Sequence, residues 1–193
     1  MTTKTKADLQ FEVKKRISIA VTLGLSLTYI AWVYAPFAVP SDPNLTDRLV
    51  FTLRWLALSI VPIFIGIRLV GSIRYENMDT AGVDTTAPYS EGLVRLSQRA
   101  LQNTLEQTAM HVPLMLILGT YLDSNHLKLV PILICLFVLA RIMYYIGYLF
   151  TGDHLGRAFG FALTFFPNVI TLVFCLYCLA TGGANYGLSS SVA

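Results

Sequence analysis

Charge is scarce in this chain. Of 193 residues only 13% are Asp, Glu, Lys or Arg, and there are three histidines and three cysteines. The basic residues stand beside apolar runs, not on a polar surface, which excludes a nucleic-acid partner. Cys135, Cys175 and Cys178 all fall inside those runs, so they read as small packing residues and no disulfide is assigned. Cys175 and Cys178 form a C-x-x-C, but no βαβ pattern surrounds it and a redox reading fails. His111 has no second His, Cys or carboxylate at ligand spacing; no metal is expected, and His111 reads as a hydrogen-bonded packing residue. A glycine-rich phosphate loop and a Ser/His/Asp set are also missing. So are an internal repeat and paired broken helices, which a transporter relay would require.

What is present is apolar surface: 55% of the residues are hydrophobic and the mean hydropathy is +0.62. Several runs reach the roughly 20 residues that cross a bilayer core about 30 Å thick. In lipid, backbone polar groups must be satisfied within their own segment, so the spans are helices. The expectation is an all-α integral membrane protein, multi-pass, with five transmembrane helices at about 17–39, 49–73, 97–121, 127–150 and 158–180. The first run is too long for a signal-peptide core and no convincing cleavage site follows it, so it is expected to be retained. Pro62 is expected to kink the second span, and Thr46 or Asp47 to cap its start. Residues 74–98 form the longest polar connection, long enough for a cap over a site. Asp153 and His154, in the last short connection, read as solvated. The divisions are a cytoplasmic tail at 1–12, an extra first helix and loop at 13–48, a four-helix domain at 49–181, and a short polar tail at 182–193.

Five spans put the termini on opposite sides. With the N-terminus in the cytoplasm, the far side keeps only Arg48, Arg54 and Lys128 of the fourteen Lys and Arg residues. That bias predicts N-in, C-out.

Two polar stripes, and Arg68 at the end of the second span, then meet at the cytoplasmic face. Arg99, Asn103 and Glu106 stand at i, i+4 and i+7, one face of a helix. Arg141, Tyr144 and Tyr148 stand at i, i+3 and i+7. A charge at mid-bilayer costs about 2.5–3.5 kcal/mol, so such groups must meet each other, a neighbouring helix or a polar ligand. A small zwitterionic, peptide-like ligand fits them: arginines for carboxylates, Glu106 for an ammonium, Asn103 for an amide. A guanidinium near a ligand thiol would raise the thiolate fraction, and Arg157 is placed for that role. The plainer alternatives are an interhelical clamp for the first stripe, and belt tyrosines and a topology anchor for Tyr144, Tyr148 and Arg157.

Arg99-Ala100-x-x-Asn103-x-x-Glu106, then Arg141-x-x-Tyr144-x-x-x-Tyr148 and Arg157, resembles the MAPEG superfamily, membrane-associated proteins of eicosanoid and glutathione metabolism, over about residues 50–180. The resemblance implies a four-helix bundle, a homotrimer, and glutathione as co-substrate between subunits near the cytoplasmic face. It also implies a lipophilic electrophile arriving from the bilayer. By that resemblance Arg99, Asn103 and Glu106 hold glutathione, Tyr144 and Tyr148 line its pocket, and Arg157 activates the thiol. Arg68 joins them from the first family helix, and Arg141 pairs with Glu106. Ala158 departs from the serine of the prostaglandin synthase, and Phe161 lacks a hydroxyl that some members carry. The extra first span is similar to the mattrin-like branch. That branch implies an alternative, a non-catalytic regulator that binds lipid or a partner membrane protein in receptor trafficking or turnover. The membrane implied is endoplasmic reticulum or endomembrane in a eukaryote and the inner membrane in a bacterium.

Overall fold

The computed structural model describes residues 5–84, 88–150 and 155–184, apart from the side chains at 81, 88–91 and 93. Asp153 and His154, and the outer parts of both tails, lie outside the described residues. Every element among the described residues is helical.

Helix α1 runs Lys6–Tyr34, opened by a reciprocal cap in which Thr5 and Asp8 each bond the other's backbone N–H. It therefore reaches back into the tail assigned to 1–12. Asn44, with Asp47 as its reciprocal partner, caps α2, Leu45–Leu56; Thr46 is not the cap. A 3-10 stretch, Ala57–Ile60, joins α2 to α3, Val61–Glu76. Pro62 lies in the first turn of α3, where its missing N–H removes no helical bond. The interruption expected at this proline is that 3-10 stretch.

The polar connection expected at 74–98 is shorter than that, because α3 continues to Glu76 and α4 starts at Pro88. A π turn at Met78–Gly82 ends the second rod, and α4 already begins at Pro88 and runs to Tyr121. Val94, Ser97, Ala100, Thr104, Gln107, Thr108 and His111 are all buried, a stripe at three- and four-residue spacing. That periodicity makes a helix although the composition is polar. Arg48 of α2 donates from Nη1 to the carbonyls of Thr120 and Leu122 at 3.4 and 2.7 Å, capping the C-terminal end of α4. Helix α5, Leu129–Tyr145, continues as a π turn, Ile146–Phe150, and α6 spans Arg157–Gly182.

Among the described residues, four helical rods are long and apolar enough to cross a membrane: Lys6–Tyr34, Leu45–Glu76, Leu129–Phe150 and Arg157–Gly182. The fifth expected span, α4, is not among them, because Gln102, Asn103, Glu106, Gln107 and His111 dilute its apolar run. The α2–α3 rod, α4, α5 and α6 form the bundle, and α1 lies against α6 and α5 with only Ala20 and Gly24 buried. An apolar core of Leu56, Met115, Leu118, Leu127, Val130 and Ile134 fills the end where α4 finishes. Ala100, Tyr144, Tyr145 and Tyr148 form an aromatic cluster nearer the start of α4. The three cysteines are free, with Cys175 and Cys178 buried on α6, as packing residues should be.

Candidate functional site

Arg141 organises the aromatic end. It is fully buried, and its guanidinium spans three helices. Nη1 donates to Thr164 Oγ1 at 3.2 Å on α6; Nη2 donates to Asn103 Oδ1 at 3.1 Å and Thr104 Oγ1 at 3.2 Å on α4. All three acceptors are neutral. Both threonines also donate to their own helix, Thr104 to the Ala100 carbonyl and Thr164 to those of Gly160 and Phe161. Their hydroxyl protons are thus engaged, and the oxygens are left facing the cation. The pairing of Arg141 with Glu106 expected from the resemblance does not form: the carboxylate instead accepts from Gln102 Nε2 one turn back, at 3.2 Å. Arg141 and Glu106 are separated because Asn103, half-buried, fills the guanidinium's reach on α4.

From Arg141 a ladder of cations and rings leads outward. The guanidinium lies 4.0 Å from the centre of the Tyr144 ring, Tyr144 and Tyr148 are 5.7 Å apart, and Arg157 lies 5.4 Å from Tyr148. Each cation on a ring face is worth about 0.5–2 kcal/mol, more where water is absent. The π turn Ile146–Phe150 carries Tyr148; such turns rotate the side chains beyond them. Arg157, the first residue of α6, is exposed. Asn103, Arg141, Tyr144, Tyr148 and Arg157 are therefore brought together as one connected set.

Arg68, Arg99 and Glu106 are not drawn into it. Arg68 and Ser72 bond each other one turn apart on α3. Arg99 is exposed and meets no acceptor among the described residues. With the exposed Glu106 it leaves a cation and an anion on the outer surface of a single chain, one turn either side of Asn103. Phe161 stacks on Phe165 at 5.3 Å and packs against the tyrosine cluster, a wholly apolar role.

Sequence reasoning missed Thr104, Thr164 and Gly160. The threonines carry no motif; only the buried stripe of α4 and its α6 counterpart mark them. A Cβ on Gly160 would stand 2.5 Å from the Tyr144 backbone N and Cα, so this glycine sets how closely α6 passes α5. His111 takes the packing role expected of it, stacked on Phe137 at 4.1 Å with Nδ1 2.9 Å from Asn168 Oδ1. Among the described residues no group of three metal-ligand side chains gathers.

The family model described as MAPEG family matches residues 52–177. Transmembrane protein 79 of Mus musculus is 29% identical over 153 residues, which is 78% of this chain and 37% of that protein. The protein of the same name from Bos taurus is 28% identical over 163 residues, 83% of this chain and 39% of its own length. The chain thus spans about two fifths of the length of these relatives. No solved structure matches it.

Proposed function

We propose a function from one premise: this chain belongs to the MAPEG family, in its mattrin-like branch, and is a multi-pass integral membrane protein. On that premise it is a glutathione-binding membrane protein, a transferase or peroxidase acting on lipophilic electrophiles from the bilayer. The observation that carries the reading is the arrangement of charge around Asn103. Arg141 spends Nη1 and Nη2 on neutral acceptors inside the bundle, whereas Arg99, Glu106 and Arg157 keep exposed charges. A clamp would have used those charges on each other. A site completed by a neighbouring subunit leaves them free for the carboxylates and ammonium of the tripeptide.

In this reading Arg99 and Arg68 take glutathione carboxylates, Glu106 takes the ammonium, and Asn103 bonds an amide. Tyr144 and Tyr148 wall the pocket. Arg157, carried on the Tyr148 face, holds the thiolate. The assembly is a homotrimer with the N-terminus in the cytoplasm and the C-terminus opposite. No metal takes part.

Calorimetry with purified protein in detergent tests this. Glutathione should bind saturably, Arg99→Ala and Glu106→Ala should weaken it at least tenfold, and Arg157→Ala should keep binding while losing turnover with a soluble electrophile. Wild type that binds no glutathione ends the reading. One observation favours a second reading, a non-catalytic scaffold for lipid or a partner membrane protein: the Asn103 amide oxygen is already used by Arg141. That reading expects no turnover, and partner effects that survive Arg157→Ala.

A further inference from the structure

A cavity of about 10 Å³ lies between α4, α5 and α6, bordered by His111, Phe137, Leu163, Pro167 and Asn168. One water needs roughly 10–15 Å³, so the space suits a single small molecule and nothing larger. None of the candidate glutathione residues lines it.

Two side chains at this cavity are buried and incompletely answered. His111 is 2% exposed and Asn168 4%. The imidazole Nδ1 is taken by Asn168 Oδ1 at 2.9 Å. His111 Nε2 and Asn168 Nδ2 are left buried with no partner among the described residues, a costly state in an apolar core. The Phe137 ring covers one face of the imidazole, centres 4.1 Å apart, so Nε2 can be met only in the plane of its own ring. The backbone adds a third group. Pro167, inside α6, has no N–H, and the Leu163 carbonyl one turn earlier loses its helical donor. In membrane helices such carbonyls are met by side chains or by ordered water. Thr164 also borders the cavity, but its hydroxyl proton already goes to the Gly160 and Phe161 carbonyls.

The groups left over set the chemistry of the occupant. With Oδ1 facing Nδ1, the imidazole proton sits on Nδ1, Nε2 is an acceptor and Asn168 Nδ2 a donor. Turning the amide over exchanges both roles and again leaves one donor and one acceptor. The occupant must therefore donate and accept at once. A cation would face an N–H, an anion would face a lone pair, and a hydrocarbon would answer neither.

We propose that this cavity binds one ordered water, which accepts from Asn168 Nδ2 and donates to His111 Nε2 and the Leu163 carbonyl. Three bonds is the usual number for a buried water. The water ties α4 to α6 one turn of α6 beyond Thr164, where Arg141 already joins the same two helices. The site stands apart from the glutathione reading and does not rest on it.

NMR cross-relaxation with water tests this on the full chain, labelled with ¹³C and ¹⁵N at histidine and asparagine, in deuterated detergent. The carbon-bound ring protons of His111 do not exchange with solvent, so a cross-peak from them to water reports a held molecule. Wild type should show it, together with one from the Asn168 side-chain amide. Thr171→Ile and Leu133→Phe, which add carbon to the cavity wall, should each remove both cross-peaks. Amide positions unchanged elsewhere show that these variants are folded. A wild type with no cross-peak from the His111 ring overturns the water. Cross-peaks that survive both filling variants overturn the site. Neither readout involves glutathione, so calorimetry on the same samples reports separately on the other reading.

Discussion

Arg141 is a buried cation held by neutral oxygens and a ring face, so its worth is structural before it is chemical. Interhelical polar bonds in membranes average about 0.6 kcal/mol, and a desolvated cation on a ring adds about 0.5–2 kcal/mol. With three such bonds and one ring, Arg141→Ala is expected to cost about 2–4 kcal/mol, measured as a lower midpoint in detergent unfolding. Arg141→Lys keeps the charge but not the fork that reaches Asn103, Thr104 and Thr164 together, and should recover less than half. An unchanged midpoint for both would show that the bonds seen here hold nothing. Outside the spans, the hydrogen bond from His126 keeps the Asp123 carboxyl below the usual carboxylate range. What Asp123 contributes to its turn is present above the ordinary carboxylate pKa and is lost as pH falls through the lowered value. An NMR titration should show that carboxyl returning upward in His126→Ala. The sequence signature named Asn103, Arg141, Tyr144, Tyr148 and Arg157 because their side-chain types are rare in lipid. It was silent on the threonine acceptors, which are ordinary there.

The crossing of α5 and α6 depends on a missing side chain. Gly160→Ala would drive a methyl into the Tyr144 backbone, which cannot turn aside as a side-chain tip can. A loss of about 1–3 kcal/mol is expected, as for other overpacked cores, and the shift should appear in the same unfolding assay. Gly71 has nothing within 4 Å of its built Cβ. Gly71→Ala is therefore the control, neutral or stabilising by up to about 1 kcal/mol. At this scale the helices were legible wherever hydropathy ran unbroken, as in α5 and α6. The opening turns of α4 were not, because a polar helix and a polar loop share a composition. Only the recurrence of Val94, Ser97, Ala100 and Thr104 separates them, and it shows clearly once one knows that a wall of tyrosines stands opposite. The cap by Arg48 was equally hidden, since its partners are backbone carbonyls seventy residues on.

At the scale of the molecule, the exposed Arg99, Glu106 and Arg157 and the uncovered apolar faces of α2, α3 and α6 fit a chain that finishes its site against copies of itself. Native mass spectrometry from detergent is expected to give three chains, and a monomer at working concentration would remove the shared site. The family was readable from one eight-residue stripe, because a cation, an amide and an anion so close together in an apolar run have few explanations. The small cavity beside His111 was not readable at all, since it is made by residues from three helices with no motif among them.

The polar load of α4 reaches back to how the chain is made. Released alone into a bilayer, that helix would carry Asn103 and His111 without their partners. Its partners on α5 and α6, including Arg141 and Asn168, are synthesised later. If α4 is a span, its insertion waits on theirs. A nascent chain halted before residue 129 should leave α4 unspanned in glycosylation mapping, and lengthening the chain through α6 should pull it across.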